Sequence, residues 1–330
     1  MKFRRLGRTD LKVSEVGLGG GGIGQVWGYT TDSECLKTIV RAIELGVNFF
    51  DVAPIYGVGK AETFLGIAGR PYRRKLVYAT KVMIEPNDVG NILKKVANSI
   101  KTSLRYLQTD YVDILQLHNW IKGDHDMEPK PNYGKALSTK HILGPDGVLK
   151  AFRILKKEGK VKFLGLTGYG YHTAIEKIIK SNEFDTVQIH YNILHQQANA
   201  NFSAVNQRLE SPIPPIIPLV KDHDLGIIAI RPYASGALSS SIDRPVSSDS
   251  QIATDIKRAS ALSFLVKGKI KTISMAAIAF VLTNKDISTV VPGAKNATEI
   301  EEAVSCISMY PLSSKNLLRI DKLYKDDFGV

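Results

Sequence analysis

Asp51, Tyr56, Lys81 and His118 are the residues of this 330-residue chain whose types and placement fit proton-transfer chemistry. Asp51 ends the apolar run NFFD, and five residues later a loop rich in Gly and Pro presents the phenol of Tyr56. Lys81 closes LVYATK, and His118 closes DILQLH. Taken singly, each has a bland reading: a capping Asp, a surface Tyr, a solvated Lys, a satisfied core His. Together they fall at the same end of three successive strand-like runs, and in a parallel α/β barrel that end collects the reactive groups. A free phenol titrates near roughly 10, so it needs an adjacent cation to give up its proton near neutrality. Lys81 supplies that charge, Asp51 holds the ammonium in place and keeps it protonated, and His118 orients a substrate carbonyl or shares the proton.

The elements that must position these groups repeat one theme. The opening KFRRLG, RTD and LKVSEVG reads as a short hairpin, with alternating residues on either side of a turn. Strand signals then follow at VGLGG (16–20), GVNFFDV, LVYATKV (76–82), YVDILQLH (111–118), KFLGLT (162–167), TVQIHY (186–191), LGIIAI (225–230) and ISTVVPG (287–293). Between and after them the spacing predicts helices from Asp32 to Leu45, Glu62 to Ala68, Asp88 to Tyr106, Gly147 to Lys157 and His172 to Lys180. Others are predicted to start in SPIPPII and to run from Thr272 to Leu282 and from Thr298 to Ile307. Ile92, Val96, Ile100 and Leu104 form the clearest stripe. Eight alternations without a linker predict an α/β fold, a (β/α)8 TIM barrel with an N-terminal β-hairpin, as a single domain over 1–330. A doubly wound open sheet is the runner-up. The segments 119–146, 192–211 and 232–270 are longer than usual connections, and all three follow strands, so they are expected to rim the catalytic face.

Composition excludes several classes of function. Hydrophobic residues make up 44% and charged residues 23%, which is ordinary for a globular chain. The formal charge of +12 is spread along the whole length in short clusters, whereas a nucleic-acid partner needs a concentrated basic face. The surplus suits an anionic ligand such as a nucleotide phosphate. Cys35 and Cys306 provide neither a disulfide framework nor a zinc spacing, and no clustered ligand set points to a metal. With no apolar signal core and no run near the roughly 20 residues of a membrane span, the expectation is a cytoplasmic protein with no membrane partner. GLGGGGIG contains G-x-G-x-x-G at Gly19, Gly21 and Gly24. The dinucleotide fingerprint requires its last Gly to open a helix, and here QVWGYT is expected to intervene before any helix begins. The glycines are read instead as letting backbone approach a ligand at the end of the first strand.

From end to end the chain resembles the aldo-keto reductases. FDVAPIYGVGKAE, ATK, LQLH, GKVKFLGLTG, TVQIHYN and VVPGAKNATEIEEA match that family's motifs in order. The resemblance implies a (β/α)8 barrel that uses NAD(P)(H) without a Rossmann fold, and a catalytic tetrad that maps onto Asp51, Tyr56, Lys81 and His118. Gln188 matches the glutamine that holds the nicotinamide carboxamide. The usual Ser-Asn pair is Thr167-Gly168 here, so one amide is lost. Ile230 replaces a stacking aromatic, and Arg231, Pro232, Tyr233 and Ser235 follow it, Arg231 gaining a pyrophosphate or ribose role. Gly20 and Gly21 belong to the same cofactor set. In GAKNATEIEEA, Lys295 is placed to pair a 2′-phosphate, Glu299 stands where NADP-preferring members often carry Arg, and Glu302 matches an adenine-contacting acid. NADP is the favoured cofactor and NAD the alternative. Thr-Gly at strand five and a nonaromatic residue at strand seven resemble the sugar-dehydrogenase branch. Trp27 and Trp120 are expected on the substrate side with Tyr56 and His118. The implied activity is an oxidoreductase interconverting a small aldehyde or ketone, or a sugar, with the alcohol or lactone. The rival is a nucleotide-sensing subunit like the β subunits of potassium channels.

Overall fold

The computed structural model describes residues 1–129, 135–199, 215–240, 242 and 245–330. Eight parallel strands form one sheet in chain order: Leu18–Gly19, Phe49–Asp51, Val77–Val82, Val112–Leu117, Val161–Thr167, Thr186–His190, Gly226–Ile230 and Thr289–Val290. Parallel bridges from Val16 to Val290 and from Gly19 to Gly293 join the first strand to the last, so the sheet closes into the expected barrel. The third and fourth strands are buried at every residue, as strands covered by side chains within and helices without must be.

The hairpin explains why only one end of the barrel is open for chemistry. Phe3–Arg5 pairs antiparallel with Lys12–Ser14. Its Leu6 and Val13 pack with Phe49, Val77, Ile114 and Ile228, toward the strands' amino ends. Arg4 fastens this plug by donating to the Glu15 carboxylate at 2.8 Å and to the carbonyls of Leu282, Asn284 and Ile287.

Most helices lie where their periodicity places them. Thr31 and Glu34 build a capping box that starts Asp32–Glu44, and Val148–Lys157, His172–Lys180, Ile273–Thr283 and Ala297–Ser305 fall within two residues of expectation. The third expected helix opens as a 3-10 turn, Pro86–Asn91, before Ile92–Leu107, because the Asp88 carboxylate folds back onto the Glu85 N–H. Other departures are larger. A one-turn helix, Gly20–Ile23, does form ahead of QVWGYT, but Gly24 ends it rather than opening one, so the dinucleotide fingerprint stays unmet. Segment 119–146 carries a parallel ribbon of Trp120–Lys122 with Ala136–Ser138, then a helix, Thr139–Leu143. Segment 232–270, expected as a long connection, holds a helix at Gln251–Ser260 capped by Ser250, and a further helix, Ser314–Lys325, follows the eighth unit. Of SPIPPII, residues 211–214 lie outside the described residues, and a helix runs over Ile217–Asp222. Among the described residues no helix is long and apolar enough to cross a membrane.

Candidate active site

Asp51 is the last residue of the second strand and is almost fully buried. Both carboxylate oxygens are occupied. Oδ2 accepts from Lys81 Nζ at 2.7 Å, and Oδ1 accepts from Gln116 Nε2 at 2.9 Å and Gln188 Nε2 at 2.7 Å. Four strands thus each send one polar group to the same level of the barrel, where strand pairing sets Lys81 directly beside Gln116. Gln116 was not among the expected residues. Its signal was an amide inside the apolar run DILQL, two places before His118 and so on the same face of the strand.

The cage decides the state of Lys81. Burial alone pushes an ammonium toward neutrality, but Asp51 and the Tyr56 phenol outweigh it, and the pKa stands above its ordinary value. Lys81 also donates to the Val52 carbonyl at 2.9 Å, and its nitrogen lies 4.7 Å from the centre of the Tyr56 ring. The Tyr56 N–H bonds to the Ala53 carbonyl, and its ring meets His118 edge to face at 6.2 Å. His118 keeps part of its surface open to the cavity. Burial, with the positive charges of Lys81 and Arg231, pushes its pKa down to about 3, so the imidazole is neutral at ordinary pH. It can therefore orient a carbonyl by a neutral hydrogen bond, not as an imidazolium.

These groups open into a cavity of about 640 Å³ at the carboxyl ends of the strands. Gly20, Gly21, Trp27, Asp51, Tyr56, His118, Thr167 and Gln188 line it, as do Ile230, Arg231, Pro232, Tyr233, Ser235, Lys295, Glu299 and Glu302. Lys81 lies behind this wall, against Asp51. Two expected residues fall elsewhere. Gly168 packs inside the wall, where a Cβ would stand 3.0 Å from the Gln188 carbonyl and from Ile216 Cδ1. Trp120 does not reach the cavity: the chain after the fourth strand enters the Trp120–Lys122 ribbon instead of a loop, and the buried indole packs edge-on against Tyr171 at 6.1 Å. The glycines after the first strand also serve a different first purpose. A Cβ at Gly22 would sit 2.2 Å from the Ala294 carbonyl, and one at Gly21 would sit 2.1 Å from Trp27 Nε1, so it is protein, before any ligand, that requires the bare backbone. Tyr169, which was not singled out from sequence, joins the cavity wall.

The cavity's chemistry suits a dinucleotide. Thr167 and Gln188 present a hydroxyl and an amide beside Asp51, 3.5 Å apart. After the seventh strand, Arg231, Ala234, Ser235 and Gly236 all adopt left-handed backbone. Such turns hold N–H groups in concavities that accept anions, and their strain persists where function requires it. At the far end, Glu299 accepts from its own helix start, the Lys295 N–H at 2.9 Å and Asn296 Nδ2 at 3.4 Å, while Glu302 accepts from Ser274 Oγ at 2.6 Å.

Comparison with known proteins places this architecture. L-galactose dehydrogenase of Arabidopsis thaliana is 29% identical over 93% of this chain and 88% of its own length. A probable voltage-gated potassium channel subunit beta of the same plant is 25% identical over 94% of this chain and 93% of its own. Among solved structures, an aldo/keto reductase from Klebsiella pneumoniae in complex with NADP and acetate superposes with a TM-score of 0.70 at 20% identity, covering 98% of this chain and 96% of the other. The profile of the Aldo/keto reductase family matches residues 15–325, and with so nearly complete a match on a closed eight-stranded barrel, the chain belongs to that family.

Proposed function

We propose that this protein is an NAD(P)(H)-dependent oxidoreductase that interconverts an aldehyde or ketone, sugars included, with the alcohol or lactone. Tyr56 is its general acid in reduction and its general base in oxidation. The observation that carries this reading is the caged ammonium: Lys81 is held by Asp51 at 2.7 Å and stands 4.7 Å from the Tyr56 ring. An ammonium fixed beside the phenol favours the charge that develops on the Tyr56 oxygen as the proton moves in the reaction. His118, neutral at working pH, points the substrate oxygen toward Tyr56. Thr167 and Gln188 are assigned to the nicotinamide carboxamide, the turn after Ile230 to the diphosphate, and Lys295 to a 2′-phosphate, which favours NADP over NAD. The nicotinamide supplies or takes up the hydride when bound. The NADP in the Klebsiella pneumoniae neighbour supports this choice, and the L-galactose dehydrogenase relative supports a sugar or other small hydroxylated carbonyl as substrate.

A second reading, a nucleotide-binding regulatory subunit with little turnover, is favoured by the potassium channel relatives. Steady-state assays with a panel of aldehydes and sugars, run with both cofactors, separate the two. In the same assays Tyr56→Phe is expected to lower turnover by roughly 10²-fold or more, the scale of a lost general acid. Cofactor affinity by fluorescence titration should stay near that of the parent. Unchanged turnover in the Phe variant would remove Tyr56 from the mechanism.

A further inference from the structure

Tyr169 stands two residues past the fifth strand and shares the cavity with Tyr56 and His118. The hydrogen bonds around it fix where its proton points. Asn192 Oδ1 accepts from the backbone N–H groups of Leu194 and His195, both at 2.9 Å, while Asn192 Nδ2 donates to the Arg231 carbonyl at 2.9 Å. The amide cannot be turned over without losing all three bonds, so a nitrogen donor must face His190 Nε2, 3.1 Å away. That makes Nε2 the acceptor, and a neutral His190 then carries its hydrogen on Nδ1. Nδ1 lies 3.3 Å from Tyr169 Oη and donates to it. Burial, with His195 and Arg231 nearby, holds His190 well below the usual imidazole range, and burial holds Tyr169 above the usual phenol range, so both groups are neutral. With its oxygen already accepting from His190, the phenol has its own O–H left over, and among the described residues none accepts it.

We propose that Tyr169 is a substrate-positioning residue whose O–H, aimed into the cavity by Asn192 and His190, binds a substrate oxygen other than the reacting carbonyl oxygen. It thereby selects carbonyl compounds that carry a neighbouring hydroxyl, the hydroxyaldehydes and sugars. A donor that a bound ligand covers without giving it a partner is costly, and a site built around such a donor discriminates against the analogue lacking the matching oxygen. The inference rests on the oxidoreductase reading above and narrows its substrate class.

Glycolaldehyde and acetaldehyde differ by one hydroxyl and provide the test, with NADPH and NADH each as reductant. The parent should prefer glycolaldehyde. In Tyr169→Phe the ratio of kcat/KM for glycolaldehyde over acetaldehyde should fall roughly 10- to 100-fold, mainly through KM, with the cofactor Kd retained. Asn192→Asp provides a second variant that keeps the phenol. A carboxylate facing Nε2 draws the ring hydrogen to that nitrogen, leaving Nδ1 to accept the Tyr169 proton, so the same loss of preference is expected. Proportional losses on both aldehydes, or a weakened cofactor at constant ratio, would overturn the proposal and assign Tyr169 to packing or to the nicotinamide, with the oxidoreductase reading intact. A parent that turns over neither these nor any other carbonyl would defeat the oxidoreductase reading and this inference with it.

Discussion

His118 and Lys81 sit in one cage, yet their surroundings drive them to opposite charge states. Lys81 has a carboxylate within hydrogen-bond reach, so its ammonium survives burial. His118 has no carboxylate to hold its proton, and burial, with the charges of Lys81 and Arg231, pushes its pKa down to about 3. That these four side chains would meet was legible because Asp51, Lys81 and His118 each end an apolar run and Tyr56 follows the first of them on a loop, but the charge of His118 was not, since it depends on burial in the folded barrel and on Lys81 and Arg231, the latter more than a hundred residues away. Gln116, a third donor to Asp51, was equally hidden, because one amide in a strand looks the same whether or not a carboxylate faces it. The His118 shift carries a testable sign. An unfolded histidine takes up a proton near 6.5 and folded His118 only near 3. Between those values the unfolded state binds more protons, so stability falls as pH drops through the window. One such group contributes a slope of up to about 1.4 kcal/mol per pH unit. Denaturant titrations of the parent and His118→Gln between pH 7 and pH 4 should show a shallower slope in the variant. His190, shifted in the same direction, keeps that slope above zero. Equal slopes would mean that His118 is not held neutral by its surroundings.

Strands and amphipathic helices could be read from the sequence because each buries one pattern against one neighbour, as in the stripe of Ile92, Val96 and Ile100. What escaped were elements whose reason lies in another part of the chain. The turn Gly20–Ile23 has no apolar period, and Gln251–Ser260 buries only Asp255 and Arg258. The latter helix is held by charge: Arg258 pairs with Asp255 at 3.0 Å and Asp327 at 2.9 Å, and His195 lies 3.3 Å from Asp255. Trp120 was misplaced for a similar reason, since its strand partner Ala136 is sixteen residues on. The glycine turn offers the clearest test at this scale. Gly22 passes against the Ala294 carbonyl where the first and last strands close the barrel. Gly22→Ala forces backbone apart and should destabilise the fold by roughly 1–3 kcal/mol, as overpacking does. Thermal melts followed by circular dichroism would check this. A melting temperature equal to the parent's would show that this closure yields without cost.

Across the whole molecule, the cavity runs from Asp51, Tyr56 and His118 to Lys295, Glu299 and Glu302 beyond the eighth strand, so under the proposed function cofactor choice lies far from the chemistry. A ligand that binds the folded barrel alone stabilises all of it in proportion to RT ln(1 + [L]/Kd), and a melting shift therefore ranks the two cofactors on one scale. The net charge of +12 favours the more anionic NADP(H) at a distance, but discrimination at the 2′ position needs a local reader. Sequence alone left Lys295 and Glu299 arguing opposite ways. The structure changes the balance, because the Glu299 carboxylate is already occupied by the Lys295 N–H and Asn296 at its own helix start, which makes it a poorer acceptor for a ribose hydroxyl. Lys295→Ala should then weaken NADP(H) by roughly 10- to 100-fold more than NAD(H), the range for a charge-assisted contact. Glu299→Gln, which removes a negative charge while keeping an acceptor, should strengthen NADP(H) and leave NAD(H) nearly as before. Melting shifts and dissociation constants for both cofactors with the parent and the two variants measure this directly. Raising the salt concentration should reduce the NADP(H) preference of the parent more than that of Lys295→Ala, since the variant lacks the local charge being screened. If both variants lose both cofactors equally, the 2′ position is read by neither residue, and the preference of this barrel must come from elsewhere on its rim.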